Sequence, residues 1–487
     1  MTIKFECVYE FVGPEGPLPN GIDITERHTS ELLRKSNYTW HGGPNSLFTL
    51  HKEKYGVDVP VFVTGLPIGE NKYHRISNLG FSTSTRNTRN DRIYIYSINV
   101  FGNLDNATGV NTPLKTTAIQ NINKLTIDKI NNEHNFFLFI NHTEEGEFRK
   151  ENILNIYNDL NSKKINLDKV IFGTSCYNAD SVISNILDEI GVTDKINVLK
   201  HNWALRSCSK HWWDVLKDNK NEYKFYDDIN HYETIVTESD NIKQKRKNKF
   251  LSLNFRIRDQ RLLLFGILNK LGILNTNDIS YDLLDENLEY LSDILRGRFQ
   301  ENDAEEVNQY WYDALIGNLN DITPKKQIVD IENIKGARGH GWERKETYLN
   351  SYINITTESL FFENCWYMSE KTFKPIANLQ PFIIIGSPHT LKTLKQLGFE
   401  TFSDFWDESY DEETDPYKRI EKIYKLIEHL NNLSMDEIHN IYEKSIPILK
   451  HNQQKLFNYR HHHLMDVSFF KYFDGLLVGR KLQKHLN

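Results

Sequence analysis

The sequence is poor in cysteine. It has four, which are Cys7, Cys176, Cys208 and Cys365, and no two of them form a CxxC pair. Cysteines this far apart argue against both a disulfide framework and a structural zinc site. A reducing compartment fits this distribution better than an oxidising one.

Long apolar runs are also missing. The longest are Phe136–Ile140 and Phe382–Ile385, far below the roughly 20 residues that a membrane-spanning helix needs. The chain starts with a short alternating stretch that contains an acid, which is unlike the apolar run of a signal peptide. We therefore expect no membrane span and a cytoplasmic location.

Neither sign of charge dominates the sequence. The chain has 59 Lys and Arg against 66 Asp and Glu, a net charge of -7 that is spread along its length. This balance argues against a general binder of nucleic acid or membrane surfaces, although it is compatible with a local basic cleft. Hydrophobic residues make up 39% and aromatic residues 12% of the chain, which is not the composition of a disordered protein.

The 487 residues exceed what one core can hold, so two or three domains are expected. Residues 1–90 are rich in turn formers and predict an irregular N-terminal portion of unknown role. Over residues 91–245, apolar strands such as Phe136–Asn141 alternate with amphipathic helical patterns. This alternation predicts an N-terminal α/β domain built on a parallel sheet.

A second α/β domain is predicted over residues 249–415. A basic run at residues 243–249 precedes it and is expected to be a solvated linker. Two helical patterns follow in residues 416–487, the second with a capping box at Ser434 and a break or kink at Pro447, and we expect them to pack back on the body. The fold class is therefore α/β, with two Rossmann-like domains.

The segment at residues 361–376 is the most informative about function. Glu370 and Lys371 would begin a helix that Pro375 ends or bends. Helix N-termini attract phosphate, and a Lys there adds a positive charge, while the Glu can accept hydrogen bonds from ribose or sugar hydroxyls. The alternative is a solvated Glu–Lys pair on a surface helix. Further along, the acidic turn at residues 407–413 is also expected to be solvated.

Two parts of the sequence match a known pattern. The first comprises Phe362-Glu363-Asn364, Tyr367 and Ser369-Glu370-Lys371, followed by an apolar strand that ends at Gly386. The second is the strand Phe250-Leu251-Ser252-Leu253-Asn254, followed by Arg256, Arg258 and Arg261. Together they resemble the donor-binding motif of the alpha-1,3-fucosyltransferase family, whose members have the two-domain GT-B architecture.

The resemblance implies an inverting glycosyltransferase that uses a GDP-sugar, with Arg261 and Lys371 holding the diphosphate. It also implies that Glu370 contacts the ribose and Glu363 the sugar. The donor-binding residues expected on this basis are Asn254, Arg256, Arg258, Arg261, Glu363, Asn364, Tyr367, Ser369, Glu370, Lys371 and Lys374.

The chemistry of glycosyl transfer bears on cofactors. Negative charge grows on the leaving diphosphate, and fixed cations aimed at it stabilise the transition state. The arginines after the strand and Lys371 can supply these cations, and no Asp-x-Asp follows a strand end as in metal-dependent transferases. We therefore expect no essential metal and no cofactor.

An inverting mechanism also needs a base for the acceptor hydroxyl. We expect it in the N-terminal domain after the strand Phe136–Asn141, because parallel sheets bind ligands at the carboxyl ends of their strands. Glu144 or Glu145 is the expected catalytic base, beside His142, and Asp180 is a second candidate. The alternative for these residues is a solvated loop.

These features favour a glycosyltransferase that moves a sugar from a nucleotide-diphosphate sugar to a hydroxyl of a glycan or another acceptor. Two alternatives remain open. A non-catalytic glycan- or nucleotide-binding protein of the same fold would bind a nucleotide sugar without hydrolysing or transferring it. A glycosyltransferase acting on nucleic acid would show salt-sensitive affinity for DNA.

Overall fold

The chain divides into two compact units in a computed structural model. One unit contains Met1–Asn202 and His463–Asn487, and the other contains Trp203–His462. The structure describes residues 118–122, 124–142, 150–200, 202, 204–205, 208–209, 235–254, 258–283, 295, 319, 322–329 and 345–459. It also describes the backbone of three strands nearer the N-terminus, at Lys4–Glu10, Val61–Thr64 and Arg92–Asn99.

The N-terminal unit is built on a six-stranded parallel sheet with the order β2-β1-β3-β4-β5-β6. The strands are β1 (Lys4–Glu10), β2 (Val61–Thr64), β3 (Arg92–Asn99), β4 (Phe136–His142), β5 (Val170–Thr174) and β6 (Asn197–Lys200). The first two lie within residues 1–90, so that portion contributes strands to the sheet and is not irregular throughout. A hydrogen-bonded neighbour on the sheet orders these short runs, which local sequence patterns do not reveal.

Three helices of this unit are described: α1 (Lys124–Asn132), α2 (Lys150–Ser162) and α3 (Ala179–Glu189). The predicted helical patterns are confirmed in two of them. Ile153, Ile156 and Leu160 are buried on one face of α2, and Ile183 and Ile186 on one face of α3. Strands alternating with helices in this way confirm the predicted α/β class.

The C-terminal unit has a five-stranded sheet with the order β11-β10-β7-β8-β9, in which only the pairing of β8 with β9 is antiparallel. Its strands are β7 (Asn248–Leu253), β8 (Asp278–Asp282), β9 (Lys326–Gln327), β10 (Ser351–Thr357) and β11 (Phe382–Ile385). The three predicted apolar strands of this half are confirmed as β7, β10 and β11. All residues of β10 and β11 are buried, as expected for strands covered on both faces.

The helices described in this unit are α4 (Asp259–Lys270), α5 (Lys345–Asn350), α6 (Glu370–Ala377), α7 (Thr390–Gln396), α8 (Pro416–Asn432) and α9 (Met435–Asn458). The capping box at Ser434 is confirmed, because its hydroxyl and the Glu437 side chain each bond the other residue's backbone N–H. Neither predicted helix break occurs: Pro375 lies inside α6 and Pro447 inside α9. Among the described residues, no helix is both long and apolar enough to cross a membrane.

The basic run at residues 243–249 belongs to the C-terminal unit. The expected solvation is found for Lys243, Lys245 and Lys247, which are exposed, but not for Arg246. Arg246 is 5% exposed and donates to the carbonyls of Tyr348 and Ser351 at 2.9 and 2.6 Å. Its guanidinium also lies 3.9 Å from the ring centre of Tyr442. A charge run predicts solvation only on average, and here carbonyls and an aromatic face replace water around the cation.

The segment just before this run also packs in the C-terminal unit, although the sequence placed it in the N-terminal domain. The Val236 N–H donates to Asn378 Oδ1 at 3.0 Å, and Gln453 Nε2 donates to the Val236 carbonyl at 2.8 Å. Asp240 pairs with Lys345 at 2.6 Å. These contacts between distant residues tie residues 236–240 to α6, α9 and α5, which no local pattern could indicate.

The acidic turn at residues 407–413 is solvated only in part, because Asp407 and Glu412 are exposed whereas Asp411 is buried. Asp411 is 6% exposed and accepts the N–H groups of Leu391 and Lys392 at the start of α7, at 2.8 and 2.9 Å. Glu408 accepts the Phe402 N–H at 2.7 Å. The carboxylates therefore satisfy backbone donors inside the fold, which is a common role for buried acids.

The cysteines also differ from the expectation. Cys176 and Cys365 are each disulfide-bonded, whereas Cys208 is a buried free thiol. The expectation of reduced cysteines is wrong for the first two, because disulfide formation depends on tertiary geometry that spacing along the chain does not report.

Candidate functional site

The strand order of the C-terminal sheet creates a reversal point between β7 and β10. From β7 the chain passes through α4 to β8 on one side, whereas β10 pairs with β7 on the other side. In open α/β sheets, ligands bind outside the carboxyl ends of the strands where the order reverses. The residues that follow β7 and β10 therefore define the candidate site.

The start of α4 supplies one side of this site. Arg258 occupies the N-cap position with an extended backbone, and α4 runs on for 12 residues. Every residue from 260 to 268 is buried, so the position of this helix is fixed by the core. Its first turn therefore presents a positive dipole end at a fixed place.

Two side chains of the first turn of α4 bond the end of β10. Arg261 is 3% exposed, and its Nε donates to Thr357 Oγ1 at 3.2 Å. Gln260 Nε2 donates to the carbonyl of Glu358 at 2.6 Å. By contrast, Arg258 is half-buried, and no side-chain hydrogen bond or ion pair involves it within the described part of the chain.

A buried ladder of polar groups fixes the ends of the two strands. Thr357 donates its hydroxyl to Asn254 Oδ1, and Asn254 Nδ2 donates to Ser252 Oγ at 2.9 Å. Ser252 in turn donates to the carbonyl of Ile355 at 2.7 Å. Asn254 is 4% exposed. Its side chain contacts other protein groups and orients Thr357, which is the hydrogen-bond partner of Arg261.

The start of α6 supplies the other side of the site. Ser369 is its N-cap, and the serine hydroxyl accepts the Lys371 N–H at 3.3 Å. Lys371 Nζ lies 2.6 Å from Glu370 Oε1 and 3.4 Å from Ser369 Oγ. The predicted helix start at Glu370 and Lys371 is thus confirmed, and the two side chains are paired with each other.

The pKa of Glu370 reports the charge in this turn. Burial alone would raise it, but the charges of Lys371 and Lys374 and the hydrogen bond from Lys371 outweigh burial and lower it to about 2. The carboxylate therefore stays ionised at every ordinary pH. An ionised carboxylate only accepts hydrogen bonds, which suits it to sugar or ribose hydroxyls.

The loop from β10 to α6 carries the remaining predicted donor residues. Glu363 is half-buried, and its Oε2 accepts the Phe361 N–H at 3.3 Å. Asn364 is exposed, whereas Tyr367 is 6% exposed. The loop is held by Arg419 of α8, which donates to the Phe361 carbonyl and lies 4.4 Å from the ring centre of Phe361.

The structure brings together most of the predicted donor residues, but not all predicted residues can be placed. Arg256, Glu144 and Glu145 lie outside the described residues. In the N-terminal unit, His142 is 4% exposed at the end of β4, and burial lowers its pKa to about 3. Asp180 pairs with Lys200 at 2.7 Å. At neutral pH His142 is therefore neutral, and its low pKa makes it a weak base.

Sequence reasoning missed two residues that organise the site, Glu358 and Arg419. Glu358 directly follows β10 and is fully buried, and its carboxylate accepts a hydrogen bond from the Ser369 N–H at 3.0 Å. A polar residue at the carboxyl end of a continuous apolar strand was the available signal for it. Arg419 gave no such signal. Its hydrogen-bond partners are backbone carbonyls 6 and 58 residues away in the chain, and the sequence at the start of α8 is typical of a surface helix.

The described residues contain no group of three or more His, Cys, Asp or Glu side chains arranged to hold a metal ion.

Comparisons with known proteins give little further information. No family model and no curated protein matches this sequence. A solved structure of a UDP-forming α,α-trehalose-phosphate synthase from Burkholderia xenovorans is similar with a TM-score of 0.36 and 9% identity, over 81% of this chain and 75% of that one. An α,α-trehalose 6-phosphate synthase from Burkholderia multivorans is similar with a TM-score of 0.35 and 8% identity, over 99% of both chains. Scores this low carry no information about substrate or mechanism.

Proposed function

We propose that this protein is a glycosyltransferase of GT-B type that takes its sugar from a nucleotide-diphosphate sugar. One observation carries the proposal: the N-terminal turns of α4 and α6 meet at the strand reversal of the C-terminal sheet, and both hold basic side chains. Gln260 and Arg261 of α4 bond the end of β10, and Ser369 of α6 bonds the same strand end through Glu358. Two positive helix ends at one crevice are suited to a doubly charged diphosphate.

The three basic side chains of this site, Arg258, Arg261 and Lys371, differ in burial and in their protein partners. Arg258 is half-buried without a protein partner in the described part of the chain, so a diphosphate would give its guanidinium an acceptor. Lys371 is 26% exposed and forms an ion pair with Glu370. It would therefore bind phosphate while its charge keeps Glu370 ionised. Arg261 is the most buried of the three. Its role is to contact the diphosphate from the buried side of the first turn of α4.

The carboxylates complete the proposed donor site. Glu370 stays ionised because its pKa is about 2, and it accepts hydrogen bonds from the ribose hydroxyls. Glu363, which is half-buried in the loop after β10, contacts the transferred sugar. The resemblance to the alpha-1,3-fucosyltransferase family favours a GDP-sugar, transfer with inversion, and a hydroxyl acceptor on a glycan or another molecule.

The chemistry needs no metal in this proposal. Negative charge grows on the leaving diphosphate in the transition state, and preorganised cations stabilise that charge more than the ground state. Removing one such group typically costs about 3 kcal/mol, or roughly a hundredfold in rate. Glu144 or Glu145 remains our prediction for the base that accepts the proton of the acceptor hydroxyl.

The test is a thermal-shift screen with GDP-, UDP-, dTDP- and CMP-sugars, followed by an assay of donor hydrolysis and transfer. A donor present at about 100 times its dissociation constant stabilises the folded protein by roughly 2.7 kcal/mol, enough to rank the four. We expect the GDP-sugar to give the largest shift and to be hydrolysed slowly without acceptor. Binding without any hydrolysis or transfer would instead identify a non-catalytic binding protein, and no shift with any donor would refute the proposal.

A further inference from the structure

Glu358 links the two halves of the candidate site. It lies at the carboxyl end of β10 and is fully buried. Its backbone carbonyl accepts Gln260 Nε2 of α4 at 2.6 Å, and its backbone N–H donates to the carbonyl of Ile385 in β11 at 2.8 Å. One residue therefore contacts β11 and the first turn of α4 through its main chain alone.

The side chain of Glu358 reaches the third element, the start of α6. Its two carboxylate oxygens accept the Ser369 N–H at 3.0 and 3.1 Å. One of them also accepts the hydroxyl of Thr372, and the other accepts the Ser359 N–H at 3.3 Å. Every donor on this carboxylate is a backbone N–H or a hydroxyl, and each belongs to the loop after β10 or to the first turn of α6.

The close fit around Glu358 leaves this side chain little freedom. A Cβ atom built at Gly386 would lie 3.2 Å from Glu358 Cβ and 3.3 Å from its Cγ. The absence of a side chain at Gly386 thus makes room for the carboxylate to turn toward α6. The glycine at the end of this apolar strand therefore has a steric explanation, because a side chain there would crowd Glu358 of the candidate site.

We propose that Glu358 is a positioning residue that fixes the turn at Ser369, Glu370 and Lys371 in register with the start of α4. This inference rests on the proposed function, because the turn is the part of the donor site that would hold ribose and phosphate. Glu358 itself does not touch the donor. Misplacement of binding groups by about 1 Å can cost roughly a hundredfold in activity, so a residue that only orients the turn has a measurable effect.

The test variant is Glu358→Gln, which keeps the shape but replaces one acceptor oxygen by an NH2 donor. That donor would face the N–H group of Ser369 or of Ser359, so the turn must shift. Glu408→Gln is the matched control. The Glu408 carboxylate is also buried, and it accepts one backbone N–H and one threonine hydroxyl, from Phe402 at 2.7 Å and Thr401 at 2.6 Å. It differs from Glu358 in that it also pairs with Lys395 at 3.2 Å.

Three measurements separate positioning from general stability. Hydrogen exchange of the amides at residues 367–374 tests the turn without any ligand. The dissociation constants of GDP and UDP test the site, and the donor KM and kcat test catalysis. For Glu358→Gln we expect faster exchange confined to this segment, a tenfold or greater increase in both nucleotide dissociation constant and donor KM, and a smaller change in kcat. Thr372→Val, which removes a single donor, should give a smaller change of the same kind.

Other outcomes overturn the inference in identifiable ways. Unchanged exchange at residues 367–374, or faster exchange with unchanged nucleotide affinity, contradicts the positioning role. Equal effects of Glu358→Gln and Glu408→Gln on affinity would reduce Glu358 to a stability residue. If the wild-type protein binds neither nucleotide and no donor of the thermal-shift screen stabilises it, the proposed function has failed and this inference fails with it, which measurements on the wild type alone reveal.

Discussion

Replacement of Lys371 by methionine tests the electrostatics of the candidate site most directly. Lys371 lies 2.6 Å from Glu370, and it is the first of the charges that lower the pKa of Glu370 to about 2 against the opposing effect of burial. A carboxyl group whose pKa is lowered on folding stabilises the protein above its ordinary pKa of 4.5. That stability is lost as the pH falls from about 4.5 toward 2.

The size of the effect follows from these pKa values. The difference between 4.5 and about 2 corresponds to about 3 kcal/mol at pH 7. Lys374 supplies part of it and remains in the Lys371→Met variant, so we expect a loss of about 2 kcal/mol. For a unit of this size that lowers the melting temperature by roughly 4–8 °C. The unpaired carboxylate should then titrate at a higher pH, so the deficit should be smaller at pH 4.5 than at pH 7.

A double variant separates stability from function. Glu370→Gln combined with Lys371→Met removes both charges, and buried pairs replaced together often cost little. We expect the double variant to recover most of the lost melting temperature but to remain about a hundredfold less active, because the phosphate contact is still absent. Melting curves at pH 7 and 4.5 and donor hydrolysis rates are the measurements. If the single variant is as stable as the wild type, or the double variant regains full activity, the reasoning is refuted.

Three further predictions follow from the described contacts. Arg258→Ala should reduce donor affinity and transfer about a hundredfold while changing stability by less than about 0.5 kcal/mol, since the side chain has no protein partner in the described part of the chain; a large loss of melting temperature would contradict this. Burial raises the pKa of Asp411 to about 6 from 3.8, despite the opposing N–H groups of Leu391 and Lys392, so its contribution to stability is complete below about pH 3.8 and is lost as the pH rises through 6. The melting temperature of Asp411→Asn relative to wild type should therefore be higher at pH 7 than at pH 4, and a difference that does not vary with pH would exclude this. Arg419→Met should lower the free energy of unfolding in urea by about 2–4 kcal/mol, because the buried guanidinium serves the carbonyls of Phe361, Glu413 and Thr414; a loss below about 0.5 kcal/mol would show that these bonds contribute little.

Local patterns were sufficient for the fold class and for several elements of the C-terminal half. The strands β7 and β11 contain short apolar runs, and the start of α6 is indicated by Glu370 and Lys371, because propensity, capping and periodicity act within a few residues. Strands β1 and β2 were missed because pairing with β3 orders them, and pairing is not local. Pro447 does not break its helix, since packing of α9 outweighs the cost of one proline.

The sequence by itself determined which residue types are available at the candidate site: arginines after one strand, and Glu370 and Lys371 at a helix start. Only the tertiary structure decided their environment. It buried Asn254 and Arg261 against Thr357, left Arg258 without a protein partner in the described part of the chain, and placed Glu358 between α4 and α6. It likewise buried one charged residue of the basic run, Arg246, and one of the acidic turn, Asp411, against hydrogen-bonding partners. The physical reason is that burial and hydrogen-bond partners come from residues far apart in the chain, and these two factors set both the charge state and the direction of a polar side chain.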